Sequence, residues 1–356
     1  MRVAWVHLIK TPVDPEVAQA SVIITNLNGV QDAGVLDHAS PKALMYGHMG
    51  GLRVVSTWNA RYKEEYFARA PDGSPVDDRR FPAGLYRYAD FRTAEFHQAS
   101  IKEWLDTAAT IPRWQGIFCD ENGLYGSPPP NGQGWLAYAV PNMIPEPMSW
   151  ATPGLSIFDM WNIMALKAVA WGVAPLRLMV NCDGYQRYIQ AAGDGFLEGF
   201  VHGSGAPDSR FPSPAYIREQ VKRLLSSVSG EIACFTATSG GENSAGVLRL
   251  ALCTFLCASP DLTRSSFGFT KDTGVQTWHS EYDTADRLGV PKGPHQLFAN
   301  DSGDWTGYRR EFLGGLVLAN TGTVSWTLRP SVQGRLWGGA KMRIPLVPPR
   351  TGVILL

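Results

Sequence analysis

The chain has 356 residues, of which 44% are hydrophobic and 18% charged, and its 32 basic and 32 acidic residues give no net charge. This composition is typical of a globular protein and excludes a largely disordered chain. There is no basic stripe and no apolar run of membrane-spanning length, so we expect neither a nucleic-acid nor a membrane partner.

Eight short apolar runs among residues 1–293 have the composition of β-strands, and helical patterns or long connections separate them. They cover residues 2–8, 21–26, 52–57, 116–119, 176–180, 195–200, 232–236 and 267–269. Strands that alternate with helices pair in parallel, and eight of them predict an α/β fold closed into a (β/α)8 TIM barrel. An open, doubly wound sheet is the competing topology.

Helix signals lie between these runs. Ser followed by Pro, a pattern of helix starts, occurs at Ser40-Pro41 and Ser213-Pro214. A capping box opens with Ser156, and Ser244 is predicted to cap an apolar helix. One helix is predicted to begin at residue 40, and another to begin at residue 213 and end by Gly230. Three more are predicted over residues 94–108, 156–171 and 246–257.

Two other segments have a distinct texture. Residues 123–154 form a long connection rich in Pro, Gly and aromatic residues, which we interpret as an ordered lid over a site. From about Pro294 onward, short β-type runs are joined by Gly/Pro turns without a helical period. We therefore predict a barrel over residues 1–293 and a small antiparallel β-sandwich domain over residues 294–356.

Acidic residues occur at two of the predicted strand ends. Asp120 and Glu121 follow the run at 116–119, and Glu198 lies in the run at 195–200. Adjacent strand residues point to opposite sides, so only one of Asp120 and Glu121 faces the barrel mouth. A pair such as Asp120 and Glu198 suits glycoside hydrolysis, in which carboxyl groups about 5–5.5 Å apart retain and about 6.5–9.5 Å apart invert the anomeric configuration. Alternatively, Asp120 caps a turn or forms an ion pair, and Glu198 is a buried, paired carboxylate.

Other polar and aromatic residues follow the same strand ends and form a predicted sugar-binding set. Each one alone could equally satisfy backbone groups of a loop, and a hydrogen-bonded structural role is the main alternative for His202 and for His7. The predicted substrate-binding residues are Trp58, Asn59, Arg61, Glu121, Asn122, Tyr125, Asn181, Asp183 and His202.

The sequence contains no signature of a cofactor or a metal centre. Neither a dinucleotide fingerprint, a P-loop, a serine-hydrolase elbow nor an H-E-x-x-H motif is present, so we expect no cofactor. The five cysteines lie in apolar runs and are predicted to be reduced, buried thiols. Cys253 and Cys257 are four residues apart on a predicted helix, but no second pair of ligands completes a metal site. A metal held by Asp120, Asn122 and Asp183 lacks a characteristic spacing.

The motifs around these acids resemble those of a known family. YADFRTAEFHQASIKEWL followed by QGIFCDENG, then GFLEG, and the closing GYRREFLGGLVLANTG and VPPRTGVILL are similar to a glycoside-hydrolase-like TIM-barrel family with a C-terminal β-domain. This family is distantly similar to the melibiase (α-galactosidase) clan. The resemblance implies that Asp120 occupies the nucleophile position after strand four and Glu198 the acid/base position on strand six.

Our main hypothesis from the sequence is therefore a glycoside hydrolase that acts on an oligo- or polysaccharide by a two-carboxylate, retaining mechanism. The main rival is a non-catalytic carbohydrate-binding or virion/surface structural protein on the same scaffold. A metal-assisted hydrolase or lyase is the third alternative. The N-terminus has no apolar segment of secretory length, which leaves a cytoplasmic protein, a phage-associated one, or one exported by another route.

Overall fold

The structure of the protein is a computed structural model. It describes residues 1–7, 16, 19–25, 43–47, 52–54, 63–66, 73–75, 86–88, 95, 99, 102, 114–119, 177–181, 193–202, 211–226, 230–239, 241, 243–271, 276–299 and 306–356. The chain divides into two compact units. Unit 1 comprises Met1–Lys42, Asp183–Gln186 and Phe196–Leu356, and unit 2 comprises Ala43–Cys182 and Arg187–Gly195.

Ten strands precede residue 294 in the described part of the chain. They are β1 (Ala4–His7), β2 (Val22–Thr25), β3 (Ala43–Gly47), β4 (Leu52–Val54), β5 (Tyr86–Tyr88), β6 (Trp114–Cys119), β7 (Arg177–Asn181), β8 (Gly193–Glu198), β9 (Ile232–Ala237) and β10 (Ser265–Thr270). The boundary between the units falls inside β8, after Gly195. A strand is found at each of the eight predicted positions, including the run at 52–57, which is described as a strand over Leu52–Val54.

In unit 1, the first and last of the predicted barrel strands are neighbours. β1 pairs in parallel with β2, and β9 lies between the end of β8 and β10. Val3, just before β1, forms a parallel bridge with Phe267 of β10, and the Phe267 amide donates a hydrogen bond to the Arg2 carbonyl at 3.1 Å. In an open sheet with strands in chain order, β1 and β10 would be opposite edges. Instead, the residue before β1 pairs with β10.

The parallel strands of unit 1 are covered on both faces. All six residues of β10 are buried, and Trp5, Ile23 and Phe269 have no exposed surface at all. Continuous burial of this kind is typical of parallel strands, whose crossover connections cover the sheet. It explains why these strands are near-continuous apolar runs in the sequence.

Unit 2 contains the parallel set β3, β6 and β7, with the start of β8 beside β7. Two predictions are wrong here. Residues 43–47 form a strand, so no helix runs on from Ser40-Pro41. Residues 52–54 do not extend the parallel set but form an antiparallel pair with β5. The third parallel strand is thus β3, whose short apolar run resembles the first turn of a helix as closely as a strand.

Two long helices cover unit 1. Helix α1 (Pro214–Ser226) begins as predicted, because the Tyr216 amide donates to Ser213 Oγ at 3.2 Å. Helix α2 (Ser244–Ala258) is buried at 12 of its 15 positions. The predicted cap of this helix is wrong by one residue, since Asn243 is the N-cap residue and Ser244 Oγ donates to the Gly241 carbonyl at 2.6 Å. A shorter helix, α3 (Ser280–Asp286), follows.

The C-terminal region of unit 1 is entirely antiparallel in its described part. Its strands are β11 (Gln296–Ala299), β12 (Thr306–Phe312), β13 (Gly315–Asn320), β14 (Trp326–Arg335), β15 (Lys341–Val347) and β16 (Thr351–Leu355). One sheet has the order β11-β12-β13-β16, and β14 pairs with β15. Apolar residues of both sheets form one cluster: Leu318, Trp326, Leu328, Ile344, Val347, Val353 and Leu355. The antiparallel strands predicted from about residue 294 onward are confirmed.

Helix α2 joins this antiparallel region to the parallel strands. It packs against β9 and β10 and against β12, β13 and β16. A helix that is apolar all round must be buried on all sides, which accounts for its composition. The approach is close: a Cβ atom on Gly352 of β16 would lie 2.1 Å from the Arg249 carbonyl oxygen of α2.

Other predictions fall wholly or partly outside the described residues. Glu95, Ala99 and Lys102 are helical, in agreement with the helix predicted over 94–108. Gly73 has a φ of +82°, as a turn at this position requires, whereas Asp72 is outside the described residues. The helix at 156–171 and the lid at 123–154 also lie outside them. Where helices are described, none is both long and apolar enough to cross a bilayer.

Candidate active site

The structure describes three of the predicted site residues, Asn181, Glu198 and His202. Two of them end strands: Asn181 is the last residue of β7, in unit 2, and Glu198 is the last residue of β8, in unit 1. β6 ends at Cys119, so Asp120 is the next residue of the chain. The remaining predicted residues lie outside the described part: Trp58, Asn59, Arg61, Asp120, Glu121, Asn122, Tyr125 and Asp183.

Glu198 is exposed, although the residues before it are buried. Phe196 and Leu197 are 4% and 1% exposed, and the four central residues of β8 are buried before the strand becomes exposed at its final residue. The strand therefore carries its carboxylate out of the core at its C-terminal end. The alternative interpretation of Glu198 as a buried carboxylate is therefore wrong. An exposed carboxylate needs no compensation for burial and is accessible to a ligand.

The four residues after Glu198, here called the β8 exit (Gly199–His202), have an unusual backbone. Gly199 and Val201 both have a φ of +65°. Glycine adopts this conformation readily, but a β-branched residue does so rarely. Val201 has no exposed surface, so its conformation is imposed by the structure around it.

Hydrogen bonds from α1 and β9 hold the β8 exit. Gln220 of α1 accepts a hydrogen bond from the Val201 amide at 2.9 Å, and its side-chain amide donates to the Gly199 carbonyl at 3.0 Å. Between them, the Phe200 amide donates to the Phe235 carbonyl at 3.0 Å, and Thr236 Oγ1 donates to the Phe200 carbonyl at 2.5 Å. The backbone next to Glu198 is thus fixed from two neighbouring elements.

The sequence interpretation did not identify Gln220 or Thr236. A signal for Gln220 exists, because it is the polar member of the buried stripe of α1, together with Ile217, Val221 and Leu224. A polar side chain on an apolar stripe needs a hydrogen-bonding partner inside the protein. The sequence alone does not indicate which backbone groups are that partner.

His202 is buried, so its side chain does not have the exposure that contact with a sugar requires. It has no exposed surface, and its Nδ1 lies 2.8 Å from the Ala237 carbonyl oxygen at the end of β9. Its ring also meets the ring of Phe211 edge-on, with centroids 5.4 Å apart. These contacts match the hydrogen-bonded structural role that was weighed for this residue.

The thiols of the described part are inert. Cys234, Cys253 and Cys257 are free and buried, and burial raises the pKa of each thiol well above its ordinary value. A neutral thiol is neither a nucleophile nor a metal ligand. Across the described residues, no group of three or more potential metal ligands comes together.

A cleft of about 500 Å³ lies at the C-terminal end of α2. Ser259, Lys292, His295 and Arg310 contribute its polar lining. Helix α2 runs from the C-terminal end of β9 back to the start of β10, so this cleft is at the edge of the strands opposite to Glu198. In (β/α)8 barrels the catalytic groups lie at the C-terminal edge of the strands, and the N-terminal edge contributes stability.

Comparison with known proteins gives a likeness in fold. No protein-family model matches the chain, and no curated protein matches it. A maltogenic α-amylase from Thermotoga neapolitana is 10% identical with a TM-score of 0.55, and an α-amylase from Lactobacillus plantarum is 9% identical with a TM-score of 0.56. Each alignment covers 99% of this chain and 98% of the other.

A third solved structure, the GH36 α-galactosidase of Geobacillus stearothermophilus, is 9% identical with a TM-score of 0.51. This alignment covers 100% of the present chain and 54% of the galactosidase. At such identities the likeness concerns the fold alone. The chain is thus similar in fold to these glycoside hydrolases, as the resemblance in its sequence predicts.

Proposed function

We propose that this protein is a glycoside hydrolase that cleaves an oligo- or polysaccharide. The observation that carries the proposal is the exposed carboxylate of Glu198 at the C-terminal end of β8, in a chain with the fold of glycoside hydrolases. This is the edge at which such barrels carry their catalytic groups. Asp120, which directly follows β6, is the second carboxylate of the proposal.

The proposal includes a closed (β/α)8 barrel over residues 1–293 and a β-sandwich domain over residues 294–356. The pairing of Val3 with Phe267 supports closure, since it joins the first strand to the last. The apolar cluster shared by the two antiparallel sheets supports a sandwich, since it contains Leu318 of one sheet and Ile344 of the other. Helix α2 would then lie between the two domains.

In the proposed mechanism, Asp120 acts as the nucleophile and Glu198 as the general acid/base. The Asp120 carboxylate attacks the anomeric carbon while Glu198 donates its proton to the departing glycosidic oxygen, which leaves a glycosyl ester on Asp120. Glu198, now ionised, takes a proton from water, and the water oxygen displaces Asp120 from the anomeric carbon. This retaining sequence requires the two carboxyl groups to be about 5–5.5 Å apart.

Substrate recognition would use the residues that follow the same strand ends. Asn181 ends β7, next to β8. Aromatic rings such as Trp58 and Tyr125 provide flat apolar faces for sugar rings. The other members of the proposed set offer hydrogen-bonding groups for sugar hydroxyls: Asn59, Arg61, Glu121, Asn122 and Asp183. The burial of His202 gives it a supporting role, through the Ala237 carbonyl, rather than direct contact.

The proposal is tested by a hydrolysis screen on aryl glycosides and polysaccharides, with wild type and Glu198→Gln in parallel. We expect wild type to cleave at least one substrate and Glu198→Gln to lose about 10²–10⁴-fold in rate, the usual contribution of a general acid. Glu219→Gln is the matched control, because Glu219 is an exposed carboxylate on α1 that pairs only with surface bases in the described part.

Equal activity of wild type and Glu198→Gln would refute the role of Glu198. Binding of a glycan by wild type without any hydrolysis would instead favour the non-catalytic carbohydrate-binding or structural protein. Activity that a chelator abolishes would favour the metal-assisted alternative.

A further inference from the structure

The β8 exit contains a strained residue whose conformation depends on one side chain. Val201 has a φ of +65°, a backbone conformation that is strained in a residue other than glycine. Its amide nevertheless makes a good hydrogen bond, to Gln220 Oε1 at 2.9 Å. The surroundings therefore compensate for the strain, and Gln220 supplies the polar part of that compensation.

Both ends of the Gln220 amide serve the same short segment. Its oxygen accepts a hydrogen bond from the Val201 amide, and its nitrogen donates one to the Gly199 carbonyl at 3.0 Å. Gln220 is only 1% exposed. A buried amide without partners is unfavourable, whereas an apolar side chain would complete the stripe of α1 at no such cost. The hydrogen bonds to the β8 exit therefore explain why this position is a glutamine.

Glu198 lies between two anchored pieces of backbone. The strand β8 holds it on one side, and the Gln220 amide and Thr236 hold the peptide groups that follow it on the other. Since Gly199 is the next residue, a change in its peptide geometry would redirect the side chain of Glu198. Catalytic groups need this kind of support, because displacement by about 1 Å can lower a rate about 10²-fold.

We propose that Gln220 is a positioning residue that fixes the direction of the Glu198 carboxylate. The proposal rests on the assignment of Glu198 as general acid/base. Gln220 acts through the backbone of Gly199 and Val201 and touches no substrate. Loss of its amide releases the β8 exit, Val201 leaves the positive-φ region, and the carboxylate moves away from the glycosidic oxygen.

The test compares wild type with Gln220→Leu and Gln220→Glu. Leucine keeps the apolar volume and removes both hydrogen bonds. A protonated glutamic acid can still donate to the Gly199 carbonyl and accept from the Val201 amide, and burial favours this protonated form. Gln276→Leu is the matched control: Gln276 is also buried and bridges two backbone groups, the Val6 amide at 2.7 Å and the Ala4 carbonyl at 2.9 Å, but on β1.

The structural measurement is a crystal structure of each variant. We expect Gln220→Leu to lose the positive φ of Val201 and to displace the Glu198 carboxylate, and Gln276→Leu to leave both unchanged. A Glu198 carboxylate within about 0.5 Å of its wild-type position in Gln220→Leu would overturn the inference. If Gln220→Leu does not fold, the same comparison is made with Gln220→Glu, at a pH below and then above the ionisation of the new carboxyl group.

The kinetic measurement uses two glycosides of the sugar that wild type cleaves. An alkyl glycoside needs a proton from the general acid, whereas a dinitrophenyl glycoside has a leaving group that departs without one. We expect Gln220→Leu to lose about 10²-fold in kcat/KM, which reports the step in which the leaving group departs, on the alkyl glycoside, with at most one tenth of that loss on the dinitrophenyl glycoside. Equal losses on both would mean that Gln220 only contributes to folding, which would overturn the inference.

The two measurements separate the inference from the proposed function. If wild type cleaves no glycoside, the glycosidase assignment fails, and the crystal structures still decide whether Gln220 positions Glu198. If wild type is active and the carboxylate does not move in the variant, the positioning role fails while the glycosidase assignment stands.

Discussion

Arg310 offers the sharpest test of how the antiparallel region is attached to the parallel strands. It lies on β12 and is 6% exposed, and it reaches the C-terminal end of α2. Its Nη1 donates to the carbonyls of Leu256, Cys257 and Ser259 at 3.1, 3.4 and 2.5 Å, and its Nε donates to the Gly293 carbonyl at 3.0 Å. The last carbonyls of a helix have no partner within the helix, so Arg310 supplies the partners that α2 lacks.

The cost of removing this guanidinium follows from the groups left behind. Arg310→Met keeps an unbranched apolar side chain but leaves the carbonyls of the last turn without their donor. Each buried backbone group without a partner costs about 1–3 kcal/mol. Some of that is recovered because the guanidinium no longer has to be desolvated and because water can enter the adjacent cleft. We expect a net loss of about 3 kcal/mol in the free energy of unfolding.

The assay is urea unfolding followed by tryptophan fluorescence, with Arg309→Met as the control. Arg309 is the neighbouring residue on β12, and it pairs with Glu311 at 2.7 Å near the surface. Exposed pairs of this kind contribute at most about 1 kcal/mol. If Arg310→Met loses no more than Arg309→Met does, the guanidinium is not the cap of α2, and the apolar contacts of α2 alone attach the C-terminal strands.

Two further predictions concern the same part of unit 1. Gly352→Ala should destabilise the protein by about 1–3 kcal/mol, because the new Cβ would lie 2.1 Å from the Arg249 carbonyl oxygen. Gly293→Ala is the control for a comparison by thermal unfolding, since a Cβ at Gly293 would lie in open space. Equal destabilisation in the two variants would mean that the close approach at Gly352 is unimportant. The pKa of His295 lies below its ordinary value of 6.5, because of burial and of the nearby Arg310 charge. In the unfolded chain His295 therefore binds its proton more readily, so the free energy of unfolding decreases as the pH falls below about 6.5. Urea unfolding at acid and neutral pH should show a smaller decrease in His295→Gln than in wild type.

The sequence by itself located most of the strands and the places where they end. β1, β6, β9 and β10 coincide with apolar runs, because buried parallel strands require near-continuous hydrophobic residues and a polar residue marks the point of exit. The start of α1 was equally readable, since a Ser cap followed by Pro acts within one helical turn. The antiparallel texture after residue 294 was a local signal of the same kind.

Tertiary contacts decided the features for which local signals conflict. Residues 43–47 are an apolar run directly after a helix-start signal at Ser40-Pro41, and only their pairing with β6 makes them a strand. The run at 52–54 has good β-propensity, yet it pairs with β5 in a separate antiparallel ladder. Strand propensity does not specify the partner, so the choice of pairing was not visible in the sequence.

The same distinction applies to the candidate site. The sequence placed Glu198 in a strand, but its exposure depends on β8 ending at that residue and not two residues later. The turn that ends the strand requires a positive φ at Val201, a residue that does not favour it. Gln220, 19 residues further on, and Thr236, 35 residues after Val201, stabilise this turn. Local sequence therefore placed the carboxylate in a strand, and long-range hydrogen bonds, which no local pattern encodes, decided how the end of that strand is held.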